Sequence, residues 1–282
     1  MIGVMKMKNK KVKIISAVII GILVVTGFVM WYIFVQRPHN FAVKDYNAVI
    51  SVIENKNSEM EEAITKLQGL IDSGEKPLDD NIIEKSKEII KHAEIEKVII
   101  EKMPKKTKDI ISKTSELNRP IDYTDILNEL SETYTAFDTS IKQYKQFIAP
   151  SEDFVIQRLQ AIDEIKDVRA VTEDNDPNGN LNKPGGYTST VYFESTNVNQ
   201  SEVYGTDLID KGTDAGGAIE VYANEEDAIK RNDYLATYDG GIFASGSHRV
   251  VGTVLIRTSN ELPASKQKAL EEKIVAAFAV IQ

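Results

Sequence analysis

Residues 14–35 read IISAVIIGILVVTGFVMWYIFV, 22 positions without one charged side chain. As an α-helix rising 1.5 Å per residue, such a stretch is about 33 Å long, enough to cross a hydrocarbon core of roughly 30 Å. Lys6, Lys8, Lys10, Lys11 and Lys13 precede it, and only Arg37 follows closely. The bias of cationic loops toward the cytoplasm therefore predicts residues 1–13 as a cytoplasmic tail and everything beyond Arg37 as external. Trp31 and Tyr32 stand near the outer end, where amphipathic rings favour the headgroup level. A cleaved signal peptide would have an apolar core of only about 7–15 residues and finish at small side chains. This run finishes Phe-Val-Met-Trp-Tyr-Ile-Phe-Val. The expectation is an uncleaved signal anchor, with the lipid bilayer as the partner of residues 14–35 and the cell membrane as the location.

Charge and composition narrow what the remainder can bind. Residues 36–282 carry 29 basic and 43 acidic side chains, a net charge of −14, which argues against nucleic acid or an anionic surface as their main partner. The absence of cysteine from all 282 residues excludes disulfides, iron–sulfur clusters, thiolate zinc sites, thiol catalysis and a lipidated N-terminal cysteine. Three histidines (His39, His92 and His248) are too few for a histidine-rich metal centre. Seven arginines against 27 lysines suggest an AT-rich bacterial genome, and an exported chain free of cysteine suits a low-GC Gram-positive bacterium.

Residues 40–166 have a helical period. Tyr46, Ile50, Ile53, Met60, Ile64, Leu67 and Ile71 follow steps of three and four, with Asn57 in the only gap. Leu127, Leu130, Tyr134, Phe137, Ile141, Tyr144 and Ile148 repeat the alternation, which lays one helix face on a partner. Between them a helix over 80–102 is expected to stop at Met103-Pro104, and a short one over 107–117 to stop before Arg119-Pro120. Ser151-Glu152-Asp153 caps a last helix reaching about Lys166. Two readings stay open: an antiparallel intramolecular bundle, or an intermolecular coiled coil whose register Asn57 sets. Either serves as a stalk. His92, between Lys91 and Ala93-Glu94, reads as a solvated side chain.

Beyond residue 167 the period becomes strand-like. Segments 168–172, 188–194, 218–222 and 250–257 are rich in Val, Tyr, Phe, Thr and Ile. Asn224 followed by Asp227 marks a helix start that offers Ala228, Ile229, Leu235 and Tyr238 to a core. Pro263 opens a final helix with Leu270, Ile274, Phe278 and Ile281 on one face. The fold class expected is α+β: a transmembrane helix, an external helical bundle or stalk, and an antiparallel α+β domain over 167–282.

Three segments of that domain, TEDNDPNGNLNKPGGYTSTVYF (172–193), GGAIEVYANEEDAIKRNDYLATYDGG (216–241) and ASGSHRVVGTVLIRTS (244–259), resemble a domain of exported lipoproteins and membrane-anchored proteins of Gram-positive bacteria. The resemblance implies location and architecture, and no activity. Members with a lipidation cysteine would be held differently from this chain, which has a helix instead.

Candidate sites lie in the same domain. Asp174, Asp176, Asn178 and Asn180 place oxygen side chains at alternate positions around Gly179, like the first half of a calcium loop. A hard cation wants six to eight oxygens, yet Gly185 stands where a bidentate glutamate belongs, and Pro177 is unusual there. Glu173 or Glu194 would have to complete the shell; otherwise these residues make tight turns. The pairs Gly185-Gly186, Gly216-Gly217 and Gly240-Gly241 fit turns between strands or the floor of a groove, and none forms a nucleotide-binding pattern. Ser245-Gly246-Ser247-His248 invites a hydrolase reading, but adjacent Ser247 and His248 on a strand point to opposite faces. Asp207, Asp210, Asp214, Glu220 and Asp239 could supply a carboxylate pair for glycoside cleavage, with Tyr187, Tyr192, Tyr204, Tyr222 and Tyr234 to hold sugar. The leading expectation is a non-enzymatic binding module at the cell surface, its partner an envelope protein or a cell-wall component, with calcium as the one candidate cofactor. The alternatives are a wall-active hydrolase and a surface-exclusion protein of a mobile element.

Overall fold

A computed structural model describes residues 2–241 and 246–281, with side chains from Val12 onward. The chain begins with α1 (Ile2–Trp31), passes through a five-residue π-helical stretch (Tyr32–Gln36) and continues as α2 (Arg37–Asp72). From Val12 to Asp72 this is one uninterrupted helix. Its apolar part is exposed along its length: Ile19 is 52% accessible, Val25 63% and Phe34 72%. A helix apolar on every side is at rest only where the solvent is itself apolar. The wider turn falls where the apolar run gives way to Gln36 and Arg37.

Two compact units follow from the contacts, one of Met1–Gly69 with Lys87–Glu132, the other of Leu70–Ser86 with Thr133–Gln282. In the first, α2 buries most of the stripe expected of it, with Tyr46, Ile53, Met60, Ile64 and Leu67 buried and Ile50 half-buried. α3 (Asn81–Glu96) contributes Ala93 there, and α4 (Thr107–Leu117) sets Ile110 against Ala42 and Tyr46. α3 stops six residues short of the expected Lys102. Val98 is the reason: its N–H is taken by the Tyr123 hydroxyl at 2.8 Å and its carbonyl by the Asn57 amide at 2.8 Å. β-branched Val98, Ile99 and Ile100 then lie outside any helix or strand. Asn57, whose side-chain oxygen also accepts from Tyr123 at 2.8 Å, is thus occupied inside its own unit. The stripe of α5 (Thr124–Lys145) is shifted from the expected one. Ile126, Leu130, Thr133, Phe137 and Ile141 are buried, while Tyr134 and Ile148 are exposed.

The second unit is built on a five-stranded sheet in the order β1-β2-β3-β5-β4, every neighbour antiparallel. Its strands are β1 (Ile165–Ala170), β2 (Tyr187–Ser195), β3 (Gly216–Tyr222), β4 (His248–Val251) and β5 (Val254–Thr258). The helix capped by Ser151, α6 (Glu152–Gln160), ends before Lys166, because β1 already begins at Ile165. The expected strand over 250–257 is a hairpin. Gly252 takes φ +57° at the first central position of a two-residue turn, the conformation a II′ hairpin needs. A Cβ at Gly252 would come within 2.6 Å of the Phe147 carbonyl oxygen.

Alternation along the strands splits the core in two. Val191, Phe193, Ile219, Val221, Val254 and Ile256 face α6 and the last helix, α9 (Ala264–Phe278), whose Phe278 lies 5.6 Å from the ring of Phe147. Arg158 ties the end of that helix down through a 2.6 Å bond to the Val280 carbonyl. Tyr192, Ala218, Tyr222 and Leu255 face the other way, beneath α7 (Leu208–Lys211), α8 (Glu225–Ala236) and the loop between β1 and β2. Asn224 caps α8 as expected, accepting from Asp227 N at 2.9 Å. Ala228 and Leu235 enter the core, whereas Ile229 and Tyr238 remain exposed, as does Ile281 after α9. Glu220 of β3 and Arg257 of β5 are buried on that second face beside Ala218, Tyr222 and Leu255, and they make it a candidate site.

Candidate functional site

Glu220 lies in the middle of the central strand, 1% exposed. An ionised carboxylate there is costly unless donors surround it. Arg257 of β5 donates from Nη1 at 2.8 Å, Arg231 of α8 from Nε at 3.3 Å, and the Tyr222 hydroxyl at 2.7 Å. Burial pushes the Glu220 carboxyl up, but the Arg257 and Arg231 charges and the Tyr222 bond outweigh it and hold it below the usual carboxylate range. The same burial, reinforced by Glu220, pushes the Tyr222 hydroxyl well above its ordinary value. Arg231 also lies over the Tyr234 ring, 5.5 Å from its centroid. Among the described residues, Arg257 Nε is buried without a hydrogen-bond partner.

A second polar centre borders the first. Tyr222 meets Tyr187 edge-on, ring centroids 6.3 Å apart, and Tyr187 donates its hydroxyl to Asp176. The two Asp176 oxygens also accept the backbone N–H groups of Asn178 at 3.0 Å, Asn180 at 2.7 Å and Leu181 at 2.8 Å. Partial burial works to raise the Asp176 carboxyl, and these four donors bring it below its ordinary range. Burial together with Asp176 pushes the Tyr187 hydroxyl far up, and burial pushes that of Tyr192 up to about 12.

Of the residues expected to hold calcium, Asn178 and Asn180 bond Asp176 through their backbone N–H groups. Asp174 is exposed, and the Asn178 amide donates to the Tyr192 hydroxyl at 3.3 Å. Glu173 accepts from Asn182 at 2.9 Å, and Glu194 lies 3.7 Å from Lys166. A cation at Asp176 would compete with four donors already in place. Among the described residues no group of three or more His, Asp or Glu side chains is disposed to hold a metal ion.

Three of the other expected carboxylates have partners of their own. Asp207 caps α7 by accepting from Ile209 N and Asp210 N, Asp210 accepts from Thr206 at 2.6 Å, and Asp239 lies 3.2 Å from His248 Nε2. The opposite ring nitrogen of His248 is 2.8 Å from Asn232. Ser247 turns to the other side of the strand, toward Glu271 at 3.1 Å and Thr258 at 2.8 Å, so Ser247 and His248 do not pair. Ser245 lies outside the described residues. Of the tyrosines proposed to hold sugar, Tyr187, Tyr192 and Tyr222 are buried, while Tyr204 and Tyr234 are exposed. The crowded glycines approach the protein's own backbone: a Cβ at Gly186 would meet the Asn180 carbonyl at 2.0 Å, and one at Gly217 the Arg257 carbonyl at 2.3 Å. His92 is exposed beside Glu96.

Arg257 and Arg231 are the members that reading the sequence missed. Their signal was faint: in a chain with 27 lysines, only seven cationic positions are arginine. Two of those seven share one buried acid, as suits a side chain whose planar fork can satisfy a carboxylate. Chemically the arrangement fixes structure. It holds Glu220 ionised and saturated, which is the opposite of a general acid's requirement. Comparison with protein-family models, curated proteins and solved structures gives no match.

Proposed function

We propose that this protein is a single-pass surface protein that holds a non-enzymatic binding module outside the cell membrane, where it engages an envelope protein or a wall component. One observation carries the reading: the exposed, uncharged helix over residues 14–35 runs without a break into α2, whose far side is packed into a folded unit. Anchor and stalk are thereby a single element. The five lysines before residue 14 and the lone Arg37 after it support a cytoplasmic N-terminus. The resemblance of residues 172–259 to a domain of exported Gram-positive proteins supports the same location. A wall hydrolase is the weaker reading, since Glu220 is held ionised and buried and Asp207, Asp210 and Asp239 have partners of their own.

Topology is tested by adding protease to intact cells that carry the chain with an N-terminal tag. A short protected fragment of tail and anchor is expected. Survival of the full-length chain would overturn the topology. Crosslinking in cells followed by capture is then expected to enrich one envelope component over a variant ending at residue 132. Equal recovery on both would count against a binding role for the sheet unit.

A further inference from the structure

We propose that the turn formed by residues 102–108 is a second membrane contact, seated on anionic phospholipid headgroups of the leaflet from which α2 emerges. This rests on the reading of residues 14–35 as a bilayer span.

Three bonds set the depth of the turn. Asn57 holds Val98, Tyr46 donates to the Glu101 carbonyl at 3.1 Å, and His39 lies 3.0 Å from the Thr107 hydroxyl. From Val98 to Thr107 the chain therefore descends along α2 toward the apolar helix. At 1.5 Å per residue, Tyr46 stands about 16 Å beyond Val35 and His39 only about 6 Å beyond it. The polar layer on each side of a bilayer is about 5–7 Å thick, so Thr107 reaches headgroup depth and residues 102–106 occupy the approximately 10 Å above it. α4 then leads away from the membrane, with Ile110 packed on Ala42 and Tyr46. The turn is the lowest point of this part of the unit.

Its chemistry fits that depth. Residues 102–108 read KMPKKTK, four lysines and no acid, in a segment (36–282) whose net charge is −14. All four lysines are exposed, and among the described residues none of them is in an ion pair. The adjoining acid, Glu101, is held by Lys113 at 3.1 Å. Asp109 and Asp45 are the nearby acids that remain, against Arg37 and Lys44 on α2. Met103 is 38% exposed four residues before Thr107, and Phe41, 53% exposed with Arg37 over its ring, lies on α2 between the levels of His39 and Tyr46. Lysines around an exposed apolar side chain, continuous with a span already in lipid, match an anionic leaflet.

The chain has no cysteine, so single replacements give unique labels. Full-length protein carrying a fluorophore at Met103→Cys, Val52→Cys or Val25→Cys is reconstituted into vesicles of phosphatidylcholine with phosphatidylglycerol. Val52, exposed on α2 about 26 Å beyond Val35, is the control for height. A headgroup nitroxide is expected to quench the Met103 label about threefold more than the Val52 label. The excess should vanish without phosphatidylglycerol and in about 1 M salt, where screening shortens to about 3 Å. Adding Lys105→Glu with Lys106→Glu should bring it to the Val52 level. A Met103 label no more quenched than Val52, while an acyl-chain nitroxide still quenches Val25, overturns the contact and leaves the span standing. An unquenched Val25 label overturns both. Quenching at Met103 that is indifferent to lipid charge and salt overturns the anionic seat.

Discussion

The two units fasten their interiors by different chemistry. In the helical unit, Asn57, Tyr123 and the backbone of Val98 form a neutral, half-buried set in which every group finds a partner within 2.8 Å. The sheet unit instead buries charge: Glu220, Arg257 and Arg231 lie between the sheet and α8. Neutral groups near water can be lost at modest cost, because water replaces the missing partner. A buried charge has no such substitute. The sheet unit should therefore fail abruptly when one member is removed, and the helical unit should fray locally.

The largest effect follows from removing a cation from the sheet. Arg257→Met leaves Glu220 buried with Arg231 as its only opposing charge, and is expected to cost about 3–5 kcal/mol. Urea unfolding of the micelle-bound protein, followed through the sheet amides by hydrogen exchange, measures it. Adding Glu220→Leu should recover most of the loss, since a well-packed apolar replacement of a buried pair is close to neutral. If the double variant is as unstable as the single one, packing rather than charge explains the site.

That first prediction also marks where sequence stopped being informative. The stripe from Tyr46 to Leu67 was legible because an amphipathic period records burial directly, and the caps at Asn224 and Ser151 because they are local. Failures occurred wherever a distant partner decided the outcome. Residues 97–102 have a helix-compatible pattern, but Asn57 and Tyr123 take the carbonyl and N–H of Val98 from 41 and 25 residues away. Residues 250–257 read as one strand, since a single glycine within a β-rich run signals a bulge as readily as a turn. Glu220 reads as one candidate catalytic carboxylate among five; its two arginine partners are 11 and 37 residues along the chain. At the Asp and Asn loop the turn chemistry was legible, while the inward aim of Asp176 toward Tyr187 was not.

Acid should separate the units next. The folded-state pKa values of Glu220 and Asp176 are both depressed, below unfolded values of about 4.3 and 3.9. A depressed carboxylate contributes stability that is complete above its unfolded pKa and lost as pH falls through the folded one. The sheet unit is thus expected to keep its stability from neutrality to about pH 5 and lose it below about pH 4. Exchange protection of β3 measured from pH 6 to pH 3 tests this, and Glu220→Leu with Arg257→Met should flatten part of the slope. Protection unchanged across that range would contradict an ionised Glu220.

The smallest effect is expected in the helical unit. Tyr123→Phe removes one hydroxyl that accepts from Val98 N and donates to Asn57. Both groups retain some access to water, so the expected cost is about 1–2 kcal/mol. The diagnostic lies in where that cost appears. The Val98 amide should exchange about five- to thirtyfold faster, the equivalent of that energy, while β3 and β5 amides keep their protection. Because the same turn descends from Val98 to Thr107, the variant should also weaken the lipid contact of residues 102–108 without touching the sheet. Uniform acceleration in both units would mean that they unfold as one, and the contrast between neutral and charged fastening would then have no energetic consequence.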